Sequence, residues 1–503
     1  MKFEDVTKYL NLPDKCRQRF AHSDVSALSY DSRNTCQNHI FFAIQGFKTD
    51  GHKFIDAAVK AGALAVFVEK ERLNEFRGKE YFDILISYRN TRIAMALCAK
   101  GFYDNPSSKI KIIGVTGTNG KTTITHMIKE IAKINNELCG IIGTIGHYIG
   151  DEKIKSKNTT PESVDLYRLL DEMVKKGCSI CAMEVSSHAL YLDRVKGLDI
   201  DVLIYTNLSE DHLDFHKDMD DYLDAKLLGV DFVKESAKKK KCLVINQDAF
   251  GGDKFVAKAK EAGVCFYTYS LKPGGDFIAK DINLTTDKST FNVIYKNNSV
   301  HIELGMLGDF NIYNALSVIG ASFFWGYSQD IIAEGLKNVS VPGRFQRVRT
   351  SLPFTVIVDY AHTDDALENV LSTIRKLKAK RIINVFGCGG DRETGKRYLM
   401  GEVSGKLADL TVITSDNPRT EDPEAIIKMI EEGVKRGGGK YIVISDRKNA
   451  ILYAINTAVD GDVILIAGKG HEDYQILKDE TIYFDDTDFA GQFLRKRESF
   501  GTY

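Results

Sequence analysis

The sequence predicts an α/β protein of three domains, and three observations lead there. At 503 residues the chain is too long for one small core, and about three domains is the expectation for that length. From about residue 108 to the end, short Val/Ile-rich runs alternate with segments of helical apolar spacing. That pattern is what helices packed on both faces of largely parallel sheets require. Between one such apolar run and the next helix lies the turn GTNGKT at 117–122. Turn signals at 105–108 (NPSS) and 341–344 (VPGR) divide the chain into 1–107, 108–340 and 341–503. The expected architecture is a small N-terminal α/β unit, a central P-loop-type parallel-sheet ATPase domain and a C-terminal Rossmann-like domain.

In the first domain, residues 40–44 and 63–68 are apolar enough for strands, and 56–61 and 91–103 carry helical spacing. In the second, strands are expected at 110–115, 180–184, 202–206 and 243–245. A polar stretch near 270–305 reads as a few antiparallel strands inserted late. In the third, buried strands are expected at 355–358, 381–386, 410–414, 441–444 and 462–467. In open α/β sheets ligands bind beyond the carboxyl ends of strands, so the polar loops after these runs are the places to look for chemistry.

Bulk composition narrows the function classes. Lys+Arg of 68 against Asp+Glu of 69 gives a formal net charge of −1, which points to neither nucleic acid nor an anionic membrane. The lysine run at 238–241 has no interleaved aromatics and reads as a solvated patch. No apolar stretch approaches the roughly 18 residues of a membrane span, and residues 1–5 lack a signal-peptide core. A cytoplasmic protein without membrane insertion is expected. The nine cysteines form no dense framework. CSIC at 178–181 has no second pair to complete a zinc site, so it reads as two thiols beside a buried strand.

The turn at 117–122 carries the clearest chemistry. Gly117 and Gly120 let the backbone bend tightly and aim its N–H groups at anionic oxygens, and the helix N-terminus adds a favourable dipole. Lys121 can reach terminal phosphates, and the Thr122 hydroxyl can ligate Mg²⁺. The general phosphate loop would need glycine at 115, where Val115 stands; the nearest is Gly114. Glu184, at the end of an apolar run, is placed to hold Mg²⁺ directly or through water, against the alternative of a surface-loop carboxylate. The segment TNLSEDHLDFH at 206–216 suits a metal or proton transfer as well as a helix-capping turn. Lys226 is one lysine on a helix, and nothing in the spacing selects it.

Taken together, GTNGKT (117–122), NTT (158–160), EVSSH (184–188), NLSEDHLD (207–214), DAK (224–226), GDFNIYNA (308–315), PGRFQ (342–346) and DYAHT (359–363) resemble the Mur ligases. These are the ATP-dependent amide-forming ligases of peptidoglycan precursor synthesis. The resemblance extends over essentially the whole chain, and the departure at Val115 is itself what the family shows. It implies that Gly117, Thr118, Asn119, Gly120, Lys121, Thr122 and Thr123 hold the phosphates of ATP, and that Asn311, Arg344 and Asp359 meet the rest of the nucleotide. It implies Lys121, Glu184, His212 and Lys226 as the catalytic set. Thr122 and Glu184 would hold one Mg²⁺, and His212 with a carbamylated Lys226 a second, the carbamate supplying the hard oxygens that an ammonium cannot.

The same resemblance implies a UDP-N-acetylmuramoyl dipeptide as substrate. YDSR (30–33), with Ser32, and FAIQGFKTDG (42–51), with Phe47, Lys48 and Thr49, look like its uridine-nucleotide-binding segments. Asn158, Thr159, Thr160, Ser186 and Arg194 would meet the muramoyl-peptide; Leu192 stands where some relatives have glutamine, and it is left out. GCGGDR (387–392), DNPR (416–419) and GKGHE (468–472) look like a pocket for meso-2,6-diaminopimelate, with Arg392, Asp416, Asn417, Pro418, Arg419, Gly468 and Glu472. A monomer is expected. The implied reaction passes through an acyl phosphate. A ligase adding L-lysine is the near alternative and would be expected to lack Arg419. A folylpolyglutamate synthetase-like ligase is the further one, against which stand the N-terminal unit and DNPR.

The choice of amino acid also has a physical argument. Diaminopimelate differs from lysine chiefly by a carboxylate on its distal ammonium-bearing carbon. Arg419 is a fork donor suited to that carboxylate, Arg392 offers a second cation, and Glu472 can accept from an ammonium. Lysine would leave a buried arginine unpaired, a discrimination on the order of 10²–10⁴.

Overall fold

The computed structural model describes residues 1–46, 49–213, 215–285 and 288–500. The chain folds as two compact units, Met1–Phe277 with Ser317–Ser328, and Ile278–Leu316 with Gln329–Tyr503.

The first unit holds two sheets. Near the N-terminus Ala27–Ser29, His39–Phe42, Ala65–Glu69 and Leu85–Tyr88 pair in that order, all parallel. Helix Thr91–Phe102 packs on them; it starts where the Asn90 side chain accepts from the N–H groups of Arg92 and Ile93.

In the larger sheet six parallel strands run in the order Cys265–Ser270, Cys242–Asn246, Val202–Tyr205, Lys111–Thr116, Ile180–Glu184 and Cys139–Ile142. Most of their residues are buried, as β-branched runs between two helical layers demand. Helix Lys121–Ile134 covers one face with Ile124, Met127, Ile128 and Ile131, the i, i+3, i+4, i+7 stripe of an amphipathic helix. Each such burial stabilises by roughly 1.5–3 kcal/mol.

The sheet is mixed rather than simply parallel at this edge. His147–Ile149 and Glu152–Ile154 add an antiparallel ribbon that the apolar pattern did not reveal. The register Val115↔Glu184 and Thr116↔Tyr205 brings the carboxyl ends of three neighbouring strands level. The loops carrying 117–120, 184–188 and 206–216 therefore leave the sheet side by side.

In the second unit Ser289–Tyr295 and Asn298–Leu304 form the expected late antiparallel hairpin. The C-terminal sheet has the order Gln346–Val348, Thr355–Asp359, Asp462–Ala467, Arg381–Phe386, Leu410–Ile413, Tyr441–Val443, and only the first pairing is antiparallel. Helices Asp364–Lys376, Gly395–Leu407 and Pro423–Arg436 share one core with it, while Arg447–Thr457 and Asp486–Phe500 share another. This is the doubly wound arrangement expected of the last domain. Gly433 lets two helices touch: a Cβ there would stand 2.2 Å from the Tyr398 carbonyl oxygen. Pairings Asp359↔Ala467, Phe386↔Ala467 and Phe386↔Ile413 again align the strand ends, so the loops around 360, 387–392, 414–419 and 468–472 emerge from one edge.

Candidate functional site

In the first unit the phosphate-type loop is built by close approach. Gly117 (φ 143°) and Gly120 (φ 90°) adopt backbone conformations that side chains resist. A Cβ at Gly117 would lie 1.8 Å from Thr206 Oγ1, so only glycine fits. The Thr118 N–H donates to the Asn207 carbonyl (2.9 Å), and the Asn119 N–H to Asn207 Oδ1 (2.9 Å). Lys121 Nζ donates to the carbonyls of Gly117 (2.9 Å) and Thr118 (2.8 Å), folding the amine over the loop. Thr122 and Thr123 are buried in the first helical turn.

Glu184 is 1% exposed. Its Oε1 accepts from Thr122 Oγ1 (2.9 Å) and the Thr144 N–H (2.9 Å), and its Oε2 from Thr144 Oγ1 (3.0 Å). All three donors are neutral. A Cβ at Gly143 would lie 2.4 Å from Oε1, so glycine leaves room beside the carboxylate. A buried carboxylate next to a threonine hydroxyl, held by neutral donors, is a donor set that suits Mg²⁺.

Lys226 lies on helix Met219–Glu235 and is 1% exposed, with Nζ 4.4 Å from the centroid of the Tyr222 ring. Burial first, and then the charge of Lys121, hold its pKa well below the ordinary lysine range, with Asp211 pulling weakly the other way. Tyr222 joins the set together: its hydroxyl is 3.2 Å from Thr118 Oγ1, and its ring centroid is 6.0 Å from that of His212. His212 is in the left-handed region (φ 57°), its ring 5.0 Å from that of His188. His216 ties the neighbouring loops, with Nε2 2.9 Å from Ser187 Oγ and Nδ1 3.2 Å from Asp221 Oδ2.

Beside this cluster Arg194 donates to Glu162 Oε1 (3.0 Å) and to the Thr160 carbonyl (3.1 Å). Arg92, on the N-terminal helix, donates to the other Glu162 oxygen (2.8 Å) and to the Gln45 carbonyl (3.2 Å). Thr160 Oγ1 donates to the Glu184 carbonyl (2.7 Å) and accepts from the Ser186 N–H (3.1 Å). Thr159 Oγ1 is 2.9 Å from Thr144 Oγ1, whereas the Asn158 side chain is exposed. Ser32 is half-buried at the start of the short helical turn Ser32–Asn34, and Thr49 is exposed. Phe47 and Lys48 lie outside the described residues.

In the second unit Asp359 accepts from the N–H groups of Phe345 (2.6 Å) and Ala361 (2.8 Å). Burial pushes its carboxyl up despite Arg344, whose guanidinium stacks 4.7 Å from the Tyr360 ring centroid. The Asn311 amide is fully buried and engaged with the Leu307 carbonyl (2.8 Å) and Asn314 (3.1 Å).

Three further loops meet at the sheet edge. Arg419 (φ 53°) donates Nη1 to the Gly390 carbonyl (2.6 Å), and Pro418 is buried beside Gly390, where a Cβ would lie 1.9 Å from the Pro418 carbonyl oxygen. Asn417 Nδ2 donates to Glu472 Oε2 (2.8 Å). A Cβ at Gly468 would stand 2.9 Å from Asp416 Oδ2. Arg392 is exposed on its loop.

Sequence reasoning gave no role to Tyr222, Thr144, Glu162 or the buried cations Arg397 and Arg447, which carry no signal beyond neighbourhood to a motif, and none of its own to Lys469, which lies inside GKGHE.

The chain belongs to the Mur ligase family, whose members are ATP-dependent ligases. Residues 24–103 match the Mur ligase family catalytic domain, 115–322 the Mur ligase middle domain, and 343–470 the Mur ligase glutamate ligase domain. The chain is 45% identical over 477 residues to UDP-N-acetylmuramoyl-L-alanyl-D-glutamate–2,6-diaminopimelate ligase of Clostridium tetani, covering 94% of this chain and 95% of that one. A solved structure of a ligase with that description is 31% identical, covers 100% of both chains and superposes with a TM-score of 0.72. Folylpolyglutamate synthase of Mycobacterium tuberculosis, complexed with ADP and AMPPCP, shares the fold alone. It is 17% identical with a TM-score of 0.62, over 76% of this chain and 92% of that one.

Proposed function

We propose that this chain is the ligase that adds meso-2,6-diaminopimelate to UDP-N-acetylmuramoyl-L-alanyl-D-glutamate in peptidoglycan precursor synthesis, and so serves cell-wall growth and division. ATP and Mg²⁺ are its cofactors, the cytoplasm its compartment and the monomer its working form. Residues 1–107 take the uridine nucleotide, 108–340 ATP, and 341–503 the amino acid. The observation that carries the reading is the convergence of Lys121, Glu184, His212 and Lys226 on one loop of glycine-enforced shape.

The γ-carboxylate of the dipeptide attacks the γ-phosphate of ATP, the bond to the β-phosphate bridging oxygen breaks, and ADP leaves. The amine of the incoming amino acid then attacks the acyl phosphate carbonyl, loses a proton, and phosphate departs as the amide forms. Such transfers depend on positioning and charge neutralisation. The backbone N–H groups of 117–122, apart from those of Thr118 and Asn119 that donate to Asn207, would cradle phosphate oxygens, and Lys121 would swing from its two carbonyls onto the terminal phosphate. Thr122 and Glu184 would hold one Mg²⁺, and His212 with Lys226 a second; the ions would supply charge neutralisation to the phosphate oxygens. Lys226, whose amine burial and Lys121 push toward the neutral form, would add to CO₂ with loss of a proton, and the carbamate would give hard oxygen donors to the second Mg²⁺ beside His212. Arg194, held by Glu162, takes a carboxylate of the dipeptide, and Arg419 takes the distal carboxylate of diaminopimelate.

The test is phosphate release from ATP, Mg²⁺ and the UDP-muramoyl dipeptide with meso-diaminopimelate, L-lysine or D-alanyl-D-alanine. Turnover is expected with the first. Equal or better turnover with either of the others would overturn the reading.

A further inference from the structure

Lys469 is a lysine with no exposure, the second residue of the loop 468–472. Its ammonium has three protons and three acceptors: Asn417 Oδ1 (3.3 Å), Glu472 Oε2 (3.2 Å) and the Tyr474 carbonyl. With its donors engaged inside the protein, it is not placed to bind a substrate carboxylate itself. Two of its partners are residues of the proposed amino-acid pocket, and they are bonded to each other, Asn417 Nδ2 donating to the same Glu472 Oε2 at 2.8 Å. Asn417 is fixed in turn from the other side, where its Oδ1 accepts from the Ile476 N–H (2.9 Å).

This closed ring constrains Glu472 to one orientation. Oε2 is turned inward to Lys469 and Asn417, while the carboxylate, with the Tyr474 side chain beside it, keeps partial exposure through which an ammonium can approach. The remaining charged and titratable groups that Glu472 acts on are Tyr474, Tyr360 and the buried Arg447. A lysine costs several kcal/mol to bury unless paired and fully bonded, so its place here needs an explanation beyond packing.

We propose that Lys469 is a positioning residue for binding of the incoming amino acid, holding Glu472 and Asn417 in the arrangement that receives an ammonium of a zwitterionic amino-acid substrate. The proposal rests on the assignment of loops 416–419 and 468–472 as the amino-acid pocket. It differs from the role of Arg419, which meets a carboxylate; Lys469 acts only through its two partners.

The test is steady-state phosphate release with the full-length wild type, Lys469→Met, Glu472→Gln and the double variant. Expected for Lys469→Met is a loss of kcat/KM for meso-diaminopimelate of roughly 30–300-fold, carried by KM, with KM for ATP and for the UDP-muramoyl dipeptide within about threefold of wild type. A general packing defect would not confine itself to one substrate. In the Glu472→Gln background the same substitution should cost only about threefold, because its main partner's charge is already gone. That comparison also stands if Lys469→Met alone fails to fold, since the double variant leaves neither charge of the pair buried alone. Wild type that turns over diaminopimelate, with Lys469→Met unchanged in that KM or equally costly in both backgrounds, overturns the proposal alone. Wild type inactive with diaminopimelate overturns the pocket assignment and this proposal with it.

Discussion

Removing the Arg419 guanidinium should weaken the handling of diaminopimelate while leaving ATP almost untouched. Arg419 is half-buried, and its backbone is held by an N–H bond to the Ile476 carbonyl (3.1 Å). One guanidinium N–H is engaged with the Gly390 carbonyl at 2.6 Å, leaving most of the fork to pair with a carboxylate. Two charge-assisted bonds at about 1.5–3 kcal/mol each make about 3–6 kcal/mol. At 1.4 kcal/mol per tenfold, Arg419→Ala should lower kcat/KM for meso-diaminopimelate by roughly 10²–10⁴. Arg419→Lys keeps the charge but not the fork, and should recover about one decade of that loss. Selectivity over L-lysine should collapse in Arg419→Ala, because lysine never used the guanidinium. The assay is phosphate release at saturating dipeptide with each amino acid varied in turn. A kcat/KM for diaminopimelate within about threefold of wild type would refute the assignment.

Lys226→Ala should abolish turnover, and short carboxylates added to the assay should restore part of it; full activity without rescue would remove the carbamate from the mechanism. Arg447 is fully buried and donates to both oxygens of Asp486 (2.8 and 2.7 Å), so Arg447→Met should destabilise the protein by about 3–5 kcal/mol, read as a lower Tm, with Arg447→Met/Asp486→Asn less affected than the single variant. Burial pushes the Asp50 carboxyl up, but hydrogen bonds from His52 and Arg72 outweigh it and bring it down to about 2, from an ordinary 3.8. A carboxyl depressed in the folded state stabilises above its unfolded pKa and loses that contribution as pH falls through the folded one. Asp50→Asn should therefore lower Tm at neutral pH, with the deficit shrinking between about pH 4 and 2; a deficit constant across that window would refute it.

The fold was legible in most strands buried on both faces, although Cys139–Ile142, buried throughout, was not among those expected. Runs such as Ile180–Glu184 and Asp462–Ala467 are continuous in apolar residues because helices cover both sides. The ribbon His147–Ile149 and Glu152–Ile154 was not, because three-residue strands with half-exposed polar positions carry no alternation to read. The candidate site divides in the same way. Glycines and carboxylates at strand ends announce themselves, since the backbone conformation or the sudden change of polarity is written locally. Lys226, Arg397, Arg447 and Lys469 do not, because lysine and arginine on a helix or in a loop look solvated until a tertiary partner is known. Asn311 shows the converse: its motif suggests a nucleotide contact, yet its amide is engaged with Leu307 and Asn314.

Those silent cations explain how the second unit holds an unfavourable backbone. Asp391 and Arg419 both have left-handed φ (54° and 53°), which costs a non-glycine residue on the order of 1–2 kcal/mol. Each lies in a loop gripped from below. Arg397, 1% exposed, donates to both oxygens of Glu421 and to the Gly389 carbonyl (3.2 Å); Glu421 in turn accepts from the Asp391 N–H. Arg447 holds the Ala467 carbonyl (2.9 Å), just before Gly468, and its Nη1 lies 3.9 Å from Asp416. Lys469 joins Asn417 to Glu472. Each loop of the proposed pocket thus has a buried cation behind it, bonded to backbone carbonyls and to an acid. Exposed ion pairs contribute too little to hold such geometry, whereas a buried cation with several bonds resists displacement because breaking them strands a charge. Selectivity between two amino acids that differ by one carboxylate needs that stiffness: an arginine free to retreat into solvent would pay little for accepting lysine.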